Sequence, residues 1–395
     1  MNLGIRKLCF SFLCISSIGS LASDFNDVLS TVMSNNLEYR AAVAADKATV
    51  TEMKAENVLD APEISYEKVW GAKGIGNKES VSISQSFDWP GVYAARRSAI
   101  KKSETALQYL RESTALDIRM NIRIALIDMI NVRQRIATTR KICDGLASMV
   151  VYFKKAVEQG NETRLDYSKA VLEHVNSVRE LKMLKSDSAV VAASLRMLNG
   201  DNDVANLIEK LGTEYPLTDL EILRPNRETL RMKDPAVATA RESTVAQEAM
   251  VKVEKRSLFP GFSIGYIHEY EMGDNFNGFS ISVSLPFLTQ RAKSKAAKLR
   301  LESTRLDEEM ALIKISSELQ SEYETALELR ELLREYSGVV SDDSCFELLR
   351  KSAEVGQINS LTYMSEISYF LAARRDFLDA NYRYNLSLAR LQRYE

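Results

Sequence analysis

Two hydrophobic periods divide this chain. After Pro62 apolar and polar residues alternate, with Ile64, Tyr66 and Trp70 on one parity and Glu63, Ser65 and Glu67 on the other. A glycine-rich loop (Gly71, Gly74, Gly76) interrupts the pattern. It then resumes as Val81, Ile83, Phe87 and Trp89 against Ser82, Ser84, Ser86 and Asp88. Much later Phe262, Ile264 and Tyr266 oppose Ser263 and Gly265, and Phe279, Ile281, Val283 and Leu285 oppose Ser280, Ser282 and Ser284. A period of two puts successive side chains on opposite faces of a strand. Four strands are predicted, at about 62–70, 80–88, 261–271 and 278–286.

The rest of the chain repeats at three and four residues, as packed helices require. Ile118, Ile122, Ala125, Met129, Val132 and Ile136 mark one stripe; Leu299, Leu306, Met310, Ile313, Leu319, Tyr323 and Ala326 mark another. The first long helix, from about Val92 to Val157 with Gly145 inside it, spans roughly 100 Å. Opening helices are expected at roughly 24–58 and 227–257, and returning helices at about 161–198 and 357–394.

The prolines, at 62, 90, 216, 225, 235, 260 and 286, leave two long stretches without any. Pro62-Glu63-Ile64-Ser65 matches Pro260-Gly261-Phe262-Ser263, and Val81 to Phe87 matches Phe279 to Leu285. Glu158-Gln159-Gly160, with Leu165 and Tyr167, matches Glu354-Val355-Gly356, with Leu361 and Tyr363. Spacings of 196–198 residues throughout define two copies of one unit, 23–215 and 216–395, with tip turns near 160 and 356. The fold class is mainly α with a small β part, a duplicated helix–β-hairpin–long helix–helix unit.

Charge and composition narrow the chemistry. The 395 residues carry 52 Lys and Arg against 54 Asp and Glu, a balance that argues against a nucleic-acid partner. Two histidines and four cysteines leave little for a metal site, and none is expected. P-loop, Gly-x-Ser-x-Gly and CxxC motifs are missing, so neither catalysis nor a cofactor is expected. Residues 1–22 resemble an export signal: Arg6 and Lys7 precede a short apolar run, and Ser20-Leu21-Ala22 supplies the small residues before cleavage. Cys14 follows a leucine, so a lipid anchor is not expected. Cys143 and Cys345 are expected as free thiols.

The apolar strand face has two physical solutions. In a soluble sheet a core covers it; in an outer-membrane barrel it meets lipid, while small polar residues line the lumen. Strands of about 8–10 residues with aromatic residues near their ends fit the second. Four strands cannot close around a lumen, and open edges cannot face lipid. A membrane barrel here therefore needs several chains.

At Ser84-Gln85-Ser86-Phe87-Asp88-Trp89-Pro90-Gly91, and at the paired turns Gly160…Leu165-Asp166 and Gly356…Leu361, the sequence resembles the TolC-type outer-membrane efflux family, especially its heavy-metal and drug resistance-nodulation-division branch. The resemblance implies a homotrimer with a 12-stranded barrel in outer-membrane lipid and an α-helical periplasmic tunnel. It also implies a periplasmic adaptor and an inner-membrane pump as partners, with Gly160, Leu165, Asp166, Gly356 and Leu361 at the docking tip. The family's Asn-Pro near the start of each unit is Asn36-Leu37 in one copy and Asp234-Pro235 in the other, and Asp166 is matched by Thr362. Asp342, Asp343, Glu347 and Glu354 approach the second tip. Repeated around an axis they would form a negatively charged gate; the plain alternative is a solvated helix face. The functional expectation is a passive conduit for efflux, against an exported structural coiled coil or a channel for type I protein secretion.

Overall fold

The computed structural model describes residues 13–71, 76–337 and 360–394, with 348, 349, 351–353, 355, 357 and 358 between them. The order is α1 (Leu13–Asn35), α2 (Leu37–Ala55), β1 (Glu63–Trp70), β2 (Asn77–Phe87), α3 (Pro90–Glu158), α4 (Arg164–Leu198) and α5 (Ala205–Lys210). There follow α6 (Arg227–Lys233), α7 (Pro235–Arg256), β3 (Gly261–Glu271), β4 (Asp274–Ser284), α8 (Phe287–Ser337), α9 (Ser360–Leu391) and a 3-10 turn at Gln392–Tyr394. Helix α3 runs unbroken through Gly145. No described helix is long and apolar enough to cross a membrane.

Each opening helix, expected as one piece, is divided in two, at Asn36 and at Asp234. Both side chains are buried and act as caps. Asn36 Oδ1 accepts the Tyr39 N–H at 2.9 Å; Asp234 Oδ1 accepts those of Ala236 and Val237 at 2.6 and 3.0 Å. A capping side chain satisfies amides that the new helix leaves without partners, and Pro235 needs no such bond at the first helical position. Asp234→Ala is expected to lower stability by about 1–2 kcal/mol, with Asp234→Asn near wild type, both read by thermal unfolding in detergent.

The chain forms two compact units, each drawing on both sequence copies. The first comprises the described residues up to Arg40, Ala115–Pro225 and Ser316 onward. Its core packs Ile118, Ile122, Leu126 and Met129 of α3 on Phe25, Val28, Leu29 and Val32 of α1, with Leu195 and Leu211. The polar stretch after α4 is part of this packing. The Arg133 guanidinium donates to the carbonyls of Ile208 and Leu211, and Gln134 Nε2 donates to Thr213 O at 2.6 Å. Gly200 has φ +67 and sits where a Cβ would lie 2.6 Å from the Asn35 carbonyl, so only glycine fits there.

The second unit, Ala41–Thr114 and Asn226–Ile315, contains all four strands. They form one antiparallel sheet in the order β1-β2-β3-β4. Strand β4 begins at Asp274, four residues before the expected start, because Met272 and Gly273 (φ 53 and 101) close the hairpin in two residues. Positive φ at both central positions is the type I′ geometry that matches strand twist. The first hairpin closes at Trp70 and Asn77, across a longer loop.

Candidate functional site

The register aligns the sheet into cross-strand rows. On one face they read Phe87–Phe262–Val283, then Gln85–Ile264–Ile281, then Ile64–Ile83–Tyr266–Phe279, then Tyr66–Val81–His268–Asn277. The opposite face reads Ser86–Ser263–Ser282, Glu63–Ser84–Gly265–Ser280 and Ser65–Ser82–Ile267–Gly278. Ser65 and Ser82 hydroxyls bond at 2.7 Å, and a Cβ on Gly265 would sit 2.6 Å from Ser280 Oγ. From the Phe87 row to the Ile83 row one face is therefore large and apolar and the other small and mostly hydroxylated, whereas toward the hairpins both faces carry charged residues.

No described element of the unit covers the apolar face. Phe279 is 84% exposed, Ile281 77%, Ile64 73% and Val283 62%; Tyr66, Ile83, Ile264, Tyr266 and Trp70 are exposed too. Phe87 and Phe262 shield each other by stacking at 5.3 Å. Isolated exposed apolar residues are ordinary, but a contiguous sheet of them marks a surface made for lipid or a partner.

Two residues assigned to strands from the sequence lie just beyond them. Trp89 falls between β2, which ends at Phe87, and α3, which starts at Pro90, and it stacks on Phe259 at 5.6 Å. Leu285 follows the last residue of β4 and is exposed. Proline at the start of α3 fixes a helical φ and ends the extended run. In the same unit a groove of about 780 Å³ adjoins the strand ends. Its walls carry the Asp88–Arg96 pair at 2.7 Å, together with Glu52, Glu56, Glu254 and Lys293.

The tip of the first copy is a Schellman turn. The Gly160 N–H reaches Val157 O at 3.1 Å and that of Asn161 reaches Ala156 O at 2.9 Å, with Gly160 at φ +77. Helix α4 then starts on a Thr163 cap that accepts the Asp166 N–H, leaving Leu165 65% exposed. The bond from Gln357 N–H to Ser352 O, 2.9 Å, repeats the Asn161–Ala156 bond in the second copy. Tyr363 is fully buried with Leu146, Met149, Phe153 and Ile367, and Tyr167 packs against the same cluster. Gly356, Asp342, Asp343, Glu347, Glu354 and Cys345 lie outside the described residues; Leu361 lies in α9, its side chain outside them. Cys143 is a buried free thiol 3.3 Å from Ser177 Oγ.

Periodicity marked the helix stripes without showing which parts of them stay open. Leu319, Tyr323 and Ala326 of α8 are buried, whereas Leu299, Leu306, Met310 and Ile313 are exposed. Leu172, Met183, Val190 and Met197 form a second exposed series on α4. Nothing in the periodicity marks Asp128 of α3, which accepts a hydrogen bond from the Tyr382 hydroxyl at 2.7 Å. Burial pushes this carboxyl above its ordinary range, and the Tyr382 bond only partly opposes the shift. A raised carboxyl pKa favours folding below the ordinary value, and that contribution is lost as pH climbs through the raised one. Asp128→Asn keeps an acceptor for Tyr382 without the charge. It is expected to raise the melting temperature at neutral pH while changing little in acid.

Among the described residues no cluster of His, Cys, Asp and Glu is arranged to hold a metal. By sequence, no protein-family model and no curated protein matches the chain. By structure it is similar to a membrane protein from Pseudomonas aeruginosa, with 16% identity, a TM-score of 0.78, and 94% of this chain and 89% of that one covered. The CmeC outer membrane channel of Campylobacter jejuni aligns at 15% identity and TM-score 0.77, covering 94% of this chain and 85% of that one. The outer membrane protein VceC of Vibrio cholerae gives 13%, 0.72, 94% and 96%. The chain has the TolC-type outer-membrane channel fold.

Proposed function

We propose that this protein is the outer-membrane channel of a tripartite efflux system. In this reading, three copies close a 12-stranded barrel from their four-stranded sheets, and their helices form a tunnel through the periplasm. Residues 1–22 direct export and are removed, without lipidation. The tip turns at Gly160 and Gly356, with Leu165, Asp166 and Leu361, meet a periplasmic adaptor and through it an inner-membrane pump. The gate is a helix rearrangement at that tip, biased by Asp342, Asp343, Glu347 and Glu354 and opened by partner contact, and substrate passes without chemistry.

The observation that carries this reading is the uncovered apolar face of an open sheet. Strands β1 and β4 each present one unpaired edge, and backbone groups at such an edge have no partners in hydrocarbon. Joining β4 of one copy to β1 of the next removes every edge and puts Ile64, Phe279 and Ile281 against acyl chains. The small hydroxylated face then lines a wet lumen. Support also comes from the structural neighbours, which include CmeC and the MtrE outer membrane channel of Neisseria gonorrhoeae.

Membrane fractionation tests the reading. The full chain is expected only in detergent extracts of the outer membrane, at the mass of a trimer, and to conduct ions in planar bilayers. A soluble monomer or dimer in plain buffer would overturn it in favour of an exported structural coiled coil. In the same bilayers, Ala at Asp343 and Glu347 is expected to weaken cation block.

A further inference from the structure

The groove of about 780 Å³ lies where α2, α3, α7 and α8 approach the strand ends, wholly within the unit that holds the sheet. Its size suits a small organic molecule, since ligand sites run from about 300 to 1,000 Å³. The floor is apolar: Val92, Ala99 and Val253 are buried there, and Met53 and Met250 line the sides. Phe259 stands at the strand end, 52% exposed, with its ring stacked on Trp89. Gly261 and Ser284 complete the wall. They pair with each other on the parity of Ser263 and Ser282, so the groove opens beside the hydroxylated face.

The lining has an excess of negative charge. Four carboxylates (Glu52, Glu56, Asp88, Glu254) meet two cations (Arg96, Lys293), a net charge of −2. Arg96 is committed to Asp88 at 2.7 Å, and the Glu254 carboxylate takes its hydrogen bond from the Gln290 amide rather than from a cation. Thr49, Glu52, Met53 and Glu56 follow one another at helical steps, which turns one face of α2 and its last turn to the groove. Among the described residues no cation pairs with Glu52 or Glu56, and both are exposed. Like charges four residues apart work against a helix, so their place here points away from a purely structural role.

Apolar walls, an exposed aromatic ring and unpaired carboxylates together suit an amphiphilic cation. The ring face attracts positive charge, and methionine side chains mould to an irregular apolar body. A cleft with an excess of one charge between low-dielectric walls concentrates the opposite ion. We propose that this groove binds an amphiphilic organic cation, an aromatic or aliphatic body carrying one ammonium, phosphonium or guanidinium charge. Phe259 and the methionines take the body, and Glu52 and Glu56 face the charge. Because these carboxylates lie at an open rim, the ion is held loosely enough to leave again, as passage through a conduit requires. The site is built within one chain; that it faces the conduit, making such cations cargo, rests on the channel reading above.

The chain has only two tryptophans, and Trp89 stacks on the Phe259 of the groove wall. Trp70→Phe therefore leaves a single emitter at the site. With the full chain in detergent, tetraphenylphosphonium is expected to change Trp89 emission saturably. Tetraphenylborate, alike in size and shape but opposite in charge, is expected to bind about tenfold more weakly or not at all. Glu52→Gln with Glu56→Gln is expected to weaken the cation about tenfold as well. Glu302→Gln with Asp307→Asn, the same change of charge on α8 outside the lining, is expected to leave it unchanged. An equal response to both ions, no saturation, or full affinity without the two carboxylates would overturn the proposal. Planar-bilayer recording separates it from the channel reading. Ion conductance without cation binding would remove the site and leave the channel, whereas binding to a chain that conducts nothing would remove the channel and leave the site.

Discussion

Ile281→Arg is expected to abolish assembly into the outer membrane. Ile281 is exposed in the central apolar rows, opposite Ile264 and two residues from Phe279 and Val283. An arginine at the midplane of a membrane barrel costs about 2–4 kcal/mol, and in the proposed trimer that cost falls three times. No partner carboxylate lies in its row, which holds only Gln85 and Ile264. The control is one residue away: Ser282→Lys places the same kind of charge on the hydroxylated face. It is expected to insert normally and to lower cation conductance. Outer-membrane fractionation and planar-bilayer recording separate the two, and equal insertion of both variants would mean that neither face meets lipid.

Replacing Leu306 and Met310 together by Glu is expected to leave the single chain folded but prevent assembly of the proposed trimer. Both project from α8 into solvent in the isolated chain, in line with exposed Leu299 and Ile313. Leu306 and Met310 are 59% and 63% exposed, so replacing them removes little packing within the chain. Burial against another copy would desolvate two carboxylates without partners, at a cost of several kcal/mol per copy. Size-exclusion chromatography with light scattering in detergent reads the outcome: helical monomer for the variant, trimer for wild type. An intact trimer would exclude this stripe from the contact between copies. Leu319→Glu, at a buried position on the same helix, is expected instead to unfold the chain.

Much of this was legible in residue order because each pattern has a short-range physical cause. Alternation set the strands near 62–70 and 261–271, since a strand exposes opposite faces at successive residues. Proline-free stretches marked α3 and α8, and Gly160 marked a turn because a positive φ is cheap there. The repeat spacing, however, holds in one strand and slips in the other. Glu63 corresponds to Gly261 at 198 residues, yet the cross-strand partners Ser84 and Ser284 are 200 apart. A two-residue shift keeps every side chain on its face, so Val81-Ser82-Ile83-Ser84 matches either setting and periodicity has no means to choose.

Residue order marked the long helices, the two-faced strands and the stripes, because these follow from backbone geometry and the nature of neighbouring side chains. Tertiary structure alone decided the order β1-β2-β3-β4, the buried caps at Asn36 and Asp234, the Asp128–Tyr382 contact, and which half of the α8 stripe stays open. Those outcomes depend on which distant segment arrives to cover a surface. A local pattern can require that an apolar face be covered, but only the folded chain shows that no described element of the unit that holds the sheet does so.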